Sequence, residues 1–281
     1  MKKAIVLYSG GLDSRLVVRL MQDEGYEVEA VYFALPFGCG CCNVSCHFNF
    51  TQKENTKLTI FDSTKGELLK EYLALLKNPK HGTGTGINPC KDCKIFMFKK
   101  AKEYADKIGV KIIATGEVVG QRPMSQVKSA MAIIDKEIGF EIRRPLMELG
   151  MTGRNRKPQI ALATKFGIKY PTPGGGCFLC EKMTARRLNF LIQNDIINEG
   201  NLSLTMIGRH FVIDGVWFVV ARDEAESGVI CKIGSCVEDK ARKPAVYFSD
   251  ERGKGKALEL QEAYASGATK EMRDKFKGVK L

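Results

Sequence analysis

Ala4-Ile5-Val6-Leu7-Tyr8-Ser9-Gly10-Gly11-Leu12-Asp13-Ser14 decides the reading of this 281-residue chain. Residues 4–8 are an apolar run of buried-strand type, residues 9–12 a glycine turn, and residues 13–24 a helix with Leu16, Val17, Leu20 and Met21 at helical spacing. Gly25 suits the helix stop, and a second β-branched run, residues 28–33, follows at once. Strand, helix and strand joined by short links predict a parallel sheet with crossover helices. Residues 58–61 and 111–115 are further strand candidates, the latter after a long helix capped by Asn88, opened by Pro89 and ended by Gly109. Phe98, Ala101, Ala105 and Ile108 share one face of that helix. Residues 157–166, stopped by Gly167, and 181–193 are predicted helices, and the Pro- and Gly-rich residues 170–176 a loop.

After residue 194 the texture changes to short β-type runs (211–213, 216–221, 229–233, 245–248) and two charged helical segments, 256–265 and 269–276. The expectation is an α/β domain over 1–190, a parallel sheet with helices on both faces, and a smaller α+β domain over 191–281. The formal charge of +12 is unevenly spread. From Leu191 onward 14 Lys/Arg balance 14 Asp/Glu, so the whole excess lies in the first 190 residues, and residues 143–187 hold 10 basic against 2 acidic side chains. Such a field suits a polyanion, nucleic acid before phospholipid since no amphipathic anchor is evident, with a solvated basic face as the plainer alternative. Apolar residues at 44% and charged ones at 27% are those of a folded globular chain. With no apolar run near ~20 residues and no cleavage-type segment, membrane insertion and secretion are not expected; a cytoplasmic setting is.

The turn carries chemistry. Gly10 and Gly11 leave backbone N–H groups uncovered for an anionic oxygen, and the helix N-terminus adds partial positive charge. Ser9 and Ser14 can donate hydroxyl bonds, and Asp13 can orient Mg2+ or a proton. Neither the GK[ST] ending of a P-loop nor the three-glycine dinucleotide pattern is present.

Ten cysteines in a non-secreted chain favour metal binding or thiol chemistry over disulfides. Cys90 and Cys93 sit in Asn88-Pro89-Cys90-Lys91-Asp92-Cys93-Lys94, one helical turn apart, where the dipole and lysines favour thiolate. Cys177 and Cys180 follow Gly174-Gly175-Gly176. The two pairs suit a four-cysteine zinc site or an iron–sulfur cluster. Cys39, Cys41, Cys42, Cys46 and His47 form another group that suits zinc, or else a loop of reduced thiols. His81 and His210 lack a partner pattern, Trp217 reads as core, and Cys231 and Cys236 as buried free thiols.

SGGLDS at residues 9–14 resembles the signature of the ATP-pyrophosphatase (PP-loop) family, whose fold is adenine nucleotide alpha hydrolase-like. NPCKDCK at 88–94, PGGGCFLC at 173–180, and Ala114-Thr115-Gly116-Glu117 followed by Gln121 and Ser125-Gln126 narrow the likeness to the tRNA thiouridine synthetases: 4-thiouridine synthases and 2-thiouridylases. The resemblance covers about residues 1–190. It implies ATP-dependent replacement of a uridine carbonyl oxygen by sulfur, with release of AMP and pyrophosphate. ATP would be held by Ser9, Gly10, Gly11, Asp13, Ser14, Gly116, Glu117 and Gln121, with Tyr32 or Phe33 beside the adenine, and Mg2+ as a cofactor. Cys93 and Cys177 match the sulfur-handling cysteines, with Asp13 as the third catalytic residue. Cys90, Cys93 and Cys177 match the ligands of a [4Fe-4S] cluster in members that carry one, zinc being the alternative metal; because Cys90 accompanies Cys93, the cluster is the expected sulfur carrier, with a persulfide on Cys177 resolved by Cys93 as the alternative.

The implied partners are tRNA and a sulfur donor, either hydrosulfide or a persulfide made by a cysteine desulfurase; a homodimer is allowed. The phosphate contacts are expected from Arg143, Arg144, Arg154, Arg156, Lys157, Arg186 and Arg187. Cys180 is extra to the three-cysteine scheme, and the sequence is expected to lack the preceding RNA-binding domain and the rhodanese-like extension of some relatives. The competing expectations are a PP-loop ligase for a small molecule and a zinc-stabilised RNA-binding protein with a relic nucleotide site.

Overall fold

A computed structural model describes residues 2–38, 44–172, 176–240 and 242–281, with the backbone alone over 44–48. The chain divides into two compact units, Met1–Cys180 and Glu181–Leu281. In the first, β1 (Lys2–Leu7), α1 (Leu12–Asp23), β2 (Tyr26–Ala34), α2 (Val44–Lys53) and β3 (Lys57–Asp62) are followed by α3 (Gly66–Lys77), α4 (Cys90–Lys107) and β4 (Ile112–Thr115). Then come α5 (Lys128–Ile138), α6 (Pro145–Glu148) and α7 (Lys157–Phe166). The four strands form a parallel sheet in the order β3-β2-β1-β4.

Strand alternation sorts β1 between two cores. Ala4 and Val6 point to one face, packing with Leu16, Val17, Val18 and Met21 of α1 and Ala163 of α7. Ile5 points to the other, against Ile95, Phe98, Ala101 and Ala105 of α4 and Ile134 of α5. Both faces are therefore dry and helix-covered, as an all-parallel sheet requires. The chain winds outward from β1 to β3 and returns to β4 on the other side of β1, so a crevice opens beyond the carboxyl ends of β1 and β4, the usual ligand position in such sheets.

The long helix starts differently from the expectation. Cys90 is its first residue and Pro89 its cap. Asn88 is buried and uses its side chain locally: Oδ1 accepts from Gly86 N at 3.1 Å and Nδ2 lies 3.4 Å from Cys90 Sγ. That local pairing competes with helix capping and wins.

The second unit holds α8 (Lys182–Gln193), β5 (Arg209–Ile213), β6 (Val216–Val220), α9 (Glu224–Ile230), β7 (Cys236–Val237), β8 (Val246–Phe248), α10 (Lys254–Ala263) and α11 (Lys270–Asp274). Its antiparallel sheet runs β5-β6-β8-β7. Phe218, Val220 and Phe248 pack on one face with Ala257 and Leu260 of α10. Trp217, Val219 and Tyr247 pack on the other with Leu191 and Ile230. Leu191 of α8 thus joins the core of this unit, so the helix goes with the C-terminal part and the division falls before it rather than at residue 190.

Residues 229–233, expected as a strand, are instead the end of α9 and a turn. Asp223 caps that helix by accepting from Glu226 N at 2.9 Å, and Glu226 pairs with Arg222, so charged N-terminal signals override the short β-branched run. No helix among the described residues is long and apolar enough to cross a membrane.

His210 and Trp217, the sole tryptophan, are buried together. Trp217 Nε1 donates to His210 Nδ1 at 3.1 Å, which leaves Nε2–H to donate to the Ile207 carbonyl at 2.8 Å. Burial pushes the imidazole pKa down to about 3. Between pH 6.5 and 3 the unfolded chain therefore binds a proton that the folded chain refuses, so this contribution to stability is full above pH 6.5 and drains away below it. Denaturation followed by Trp217 fluorescence is expected to show this unit losing up to about 1.4 kcal/mol per pH unit as pH falls from 6.5. His210→Gln, which keeps a donor and an acceptor but does not titrate, is expected to flatten that dependence between pH 6.5 and 5.

Candidate functional site

The turn after β1 is built to leave N–H groups free. Gly10 takes φ +78°, a conformation that suits glycine. Gly11 is the cap residue of α1 and supplies no side-chain cap bond, so no side chain from the cap closes the first turn. Buried Arg15 braces the turn from behind, its Nε donating to Gly10 O at 2.7 Å and its Nη1 to Lys169 O at 2.8 Å. Ser14 Oγ donates to Gly11 O at 3.0 Å, and Ser9 Oγ lies 3.4 Å from it.

Asp13 stands at the front. Gln121 Nε2 donates to its Oδ2 at 3.0 Å, while buried Oδ1 has no hydrogen-bond partner. Burial raises the Asp13 pKa against the pull of the Gln121 bond and of the nearby Arg156 and Arg122 guanidiniums. An orphaned carboxylate oxygen among cations fits a divalent ion or a phosphate-bound one.

The loop after β4 closes on the turn at Gly116. A Cβ there would lie 2.7 Å from the Asp13 carbonyl carbon and 2.8 Å from Ser14 N, so only glycine lets the two backbones meet. Glu117, next in line, is 1% exposed and spans two cations: Oε1 is 3.3 Å from Lys94 Nζ and Oε2 is 3.2 Å from Arg144 Nε. Arg144 also grips Asp135 at 2.6 Å. Glu117 therefore works as a buried anchor that ties the nucleotide-side loop to the first turns of α4.

Those turns carry thiols. Cys93 Sγ is 3.7 Å from the hydroxyl of buried Tyr72. The segment holding Cys177 and Cys180 is fastened beside α4 by two backbone bonds, Ile87 N to Leu179 O at 3.2 Å and Phe178 N to Phe37 O at 3.1 Å. Burial pushes the Cys93 thiol up to about 11 and Cys177 up to about 12, the latter also through its neighbour Cys180. Cys90 rises too, chiefly by burial and less by Cys180, and the Arg122 charge opposes it. Arg122 thus acts on both Asp13 and Cys90, between the nucleotide turn and the thiols.

The fit to a metal divides. Thiols that burial and their neighbours keep protonated have the donor chemistry of a soft metal site. Yet among the described residues no group of three or more His, Cys, Asp or Glu stands where it could hold one ion, whereas tetrahedral zinc needs sulfurs roughly 4 Å apart. Cys39, Cys41 and Cys42, and the side chains of Cys46 and His47, lie outside what is described.

Phe33 is buried, stacked on Phe61 at 4.9 Å and edge-on to Phe96 at 6.4 Å, whereas Tyr32 is half-buried. Of the basic residues singled out for RNA, Arg143 is bound to Glu24 and Glu148 and Arg144 to Glu117 and Asp135. Arg156 is half-buried near Asp13, while Arg154, Lys157 and Arg186 are exposed. Arg187, in the second unit, is half-buried with an unpartnered Nε. Arg122, Lys94 and Tyr72 were not evident as site residues; Arg122 adjoins Gln121 in sequence, but nothing local marks Tyr72.

A glycine turn at the switch point of a parallel α/β sheet, coupled through Glu117 and Lys94 to a helix that carries two cysteines, defines the chain as an α/β protein of parallel-sheet type. The chain belongs to the family described as "Thiamine biosynthesis protein (ThiI)", whose model matches residues 1–168. A "Probable tRNA sulfurtransferase" of Thermoanaerobacter sp. (strain X514) is 30% identical over 160 residues, 53% of this chain and 38% of that protein. A "tRNA-specific 2-thiouridylase MnmA" of Pseudomonas savastanoi pv. phaseolicola (strain 1448A / Race 6) is 27% identical over 242 residues, 75% of this chain and 60% of that one. The chain thus spans less than two thirds of the length of these relatives. The crystal structure of a 4-thiouridine synthetase–RNA complex with bound ATP aligns with a TM-score of 0.48 and 19% identity, covering 73% of this chain and 52% of that one.

Gly116→Ala is expected to destabilise the first unit by about 1–3 kcal/mol, because backbone rather than a flexible side chain must yield. Thermal unfolding checks this against Gly255→Ala, where an added Cβ meets nothing within 4 Å.

Proposed function

We propose that this chain is a tRNA sulfurtransferase that adenylates a uridine carbonyl oxygen and replaces it with sulfur, releasing pyrophosphate and AMP. The observation that carries the reading is the Gly116 contact with Asp13 and Ser14 followed immediately by the Glu117–Lys94 bridge, which couples the phosphate turn to the Cys90–Cys93 turn. Family membership and the sulfurtransferase and thiouridylase relatives support it.

Oxide is a hopeless leaving group, and AMP is a good one. The carbonyl oxygen attacks the α-phosphorus of ATP and pyrophosphate departs. The N–H groups of Gly10 and Gly11, with Arg122 and Arg156, stabilise the charge that develops on the phosphates. Asp13 would hold Mg2+ through its unpartnered Oδ1, and the ion would neutralise phosphate charge. A persulfide on Cys177 then attacks the activated carbon and AMP leaves. Cys93 attacks the Cys177 sulfur, the S–S bond breaks with its electron pair passing to the thiouridine sulfur, and the Cys93–Cys177 disulfide that remains is reduced by an external thiol. Thiol cycling of this kind needs a reducing compartment, which makes the reading one of a cytoplasmic enzyme.

A second reading rests on the shared electrostatic environment of Cys90, Cys93 and Cys177. There Cys90, Cys93 and Cys177 would hold a [4Fe-4S] cluster, which would supply an iron to carry hydrosulfide, and the three sulfurs would have to draw together to do so.

The test is pyrophosphate release and sulfur incorporation, measured anaerobically with and without unmodified tRNA. Both are expected to require tRNA, and sulfur incorporation to fall at least about 100-fold in Cys177→Ala, as loss of a nucleophile does, while the preceding adenylation step still releases pyrophosphate. Turnover independent of RNA would identify a small-molecule ligase instead, and RNA affinity without pyrophosphate release a binding protein. Absorbance near ~400 nm after iron and sulfide reconstitution, lost in Cys90→Ala, would select the cluster reading.

tRNA binding should draw on the exposed, uncommitted cations. Arg154→Gln with Lys157→Gln is expected to reduce the slope of log K against log salt by about two, whereas Arg143→Gln, which breaks internal ion pairs, should leave the slope near that of the parent. Filter binding over a salt series reads both.

A further inference from the structure

The Cys180 thiol has no part in the scheme above, and its position is distinctive. Among the described thiols near α4 it is the exposed one, whereas Cys90, Cys93 and Cys177 are half-buried. It is also held against Cys177. A short 3-10 turn, Phe178–Cys180, brings Cys180 N to 3.0 Å from Cys177 O. Buried Leu179 pins that turn, and the two backbone bonds to Phe37 and Ile87 fasten it on either side. The Cys180 sulfur folds back over residue 176: a Cβ on Gly176 would touch it at 3.6 Å. Cys177 and Cys180 therefore sit three positions apart on one tight, backbone-bonded bend. Cys180 is thus the exposed member of a tight turn whose other cysteine, Cys177, is half-buried like Cys90 and Cys93.

A protein-borne persulfide can present its sulfur only to a thiol that reaches the surface. We propose that Cys180 is the sulfur-entry residue, taking sulfane sulfur from a persulfide donor and passing it to Cys177. The inference rests on the persulfide reading of the preceding subsection and adds a site to it.

The chemistry closes without an added oxidant. Cys180 thiolate attacks the outer sulfur of the donor persulfide, the donor S–S bond breaks, and the donor leaves as its own thiolate. Cys177 sulfur then attacks the outer sulfur of Cys180–S–SH; a new S–S bond forms, the old one breaks, and the electron pair stays on the Cys180 sulfur. The Cys177 thiol gives up its proton as it attacks, because the thiolate is the nucleophile. The departing Cys180 thiolate is the base that takes it. The sulfane sulfur moves twice at constant oxidation state, and each thiol is regenerated.

The experiment loads the full chain, without ATP or tRNA, from two persulfide sources: a cysteine desulfurase charged with 35S-cysteine, and the small hydropersulfide of glutathione. Label is located by alkylation and peptide mass spectrometry. With the protein donor, Cys177 in Cys180→Ser is expected to load at least about tenfold more slowly than in the parent, because thiol exchange depends on access. With the small donor the two should differ by less than about twofold. Cys177→Ser should accumulate label on Cys180. Circular dichroism of Cys180→Ser, a near-isosteric change at an exposed site, is expected to match the parent. Equal loading of Cys177 from the protein donor in parent and Cys180→Ser would overturn the entry role while leaving the persulfide reading intact. Absence of label on both cysteines from either donor would overturn both together.

Discussion

The approach of two backbones at Gly116 is the constraint on which the rest depends. β1 and β4 are neighbours in the sheet, so the loops that leave their carboxyl ends start side by side. The turn after β1 then enters α1, and the loop after β4 can pass under it only where no side chain stands between. That contact sets the position of Glu117, which in turn fixes Lys94 and hence the opening turn of α4. A missing methyl group thus sets the distance between the glycine turn after β1 and the cysteine-bearing turn of α4.

Burial pushes the acids of the candidate site one way, towards the protonated form. At Asp13, which keeps an unpartnered oxygen, the Gln121 bond and the Arg156 and Arg122 charges oppose that rise. Cys93 and Cys177 lie in an environment that favours the protonated thiol, so they are quiet until a partner arrives that lowers the cost of the anion.

Much of the first unit was legible in the sequence because its signals are local. The strand–turn–helix at the N-terminus, the helix Lys157–Phe166 and the glycine stops depend on spacing and on backbone preferences within a few residues. The misreadings were also local contests. Asn88 preferred Gly86 and Cys90 to capping, and Asp223 and Glu226 made a helix end of a β-branched run. The basic count around residues 143–187 exceeds the free surface charge, because Arg143 and Arg144 pair with Glu24, Glu148, Glu117 and Asp135, while Arg154, Lys157 and Arg186 are exposed. Those acids lie as far as 119 positions away in the chain, beyond any window that reads neighbours.

By itself the sequence determined the α/β class, the phosphate-type turn at Ser9–Ser14 and the identity of the thiols, since each follows from residue type and short spacing. Tertiary structure decided which groups share a site: that Gly116 touches Asp13, that Glu117 is an anchor, that Arg122 acts on both halves, and that Tyr72 meets Cys93. The physical reason is that proximity between segments is set by strand order and by the packing of buried side chains on both sheet faces, and neither quantity is written in any short stretch of chain.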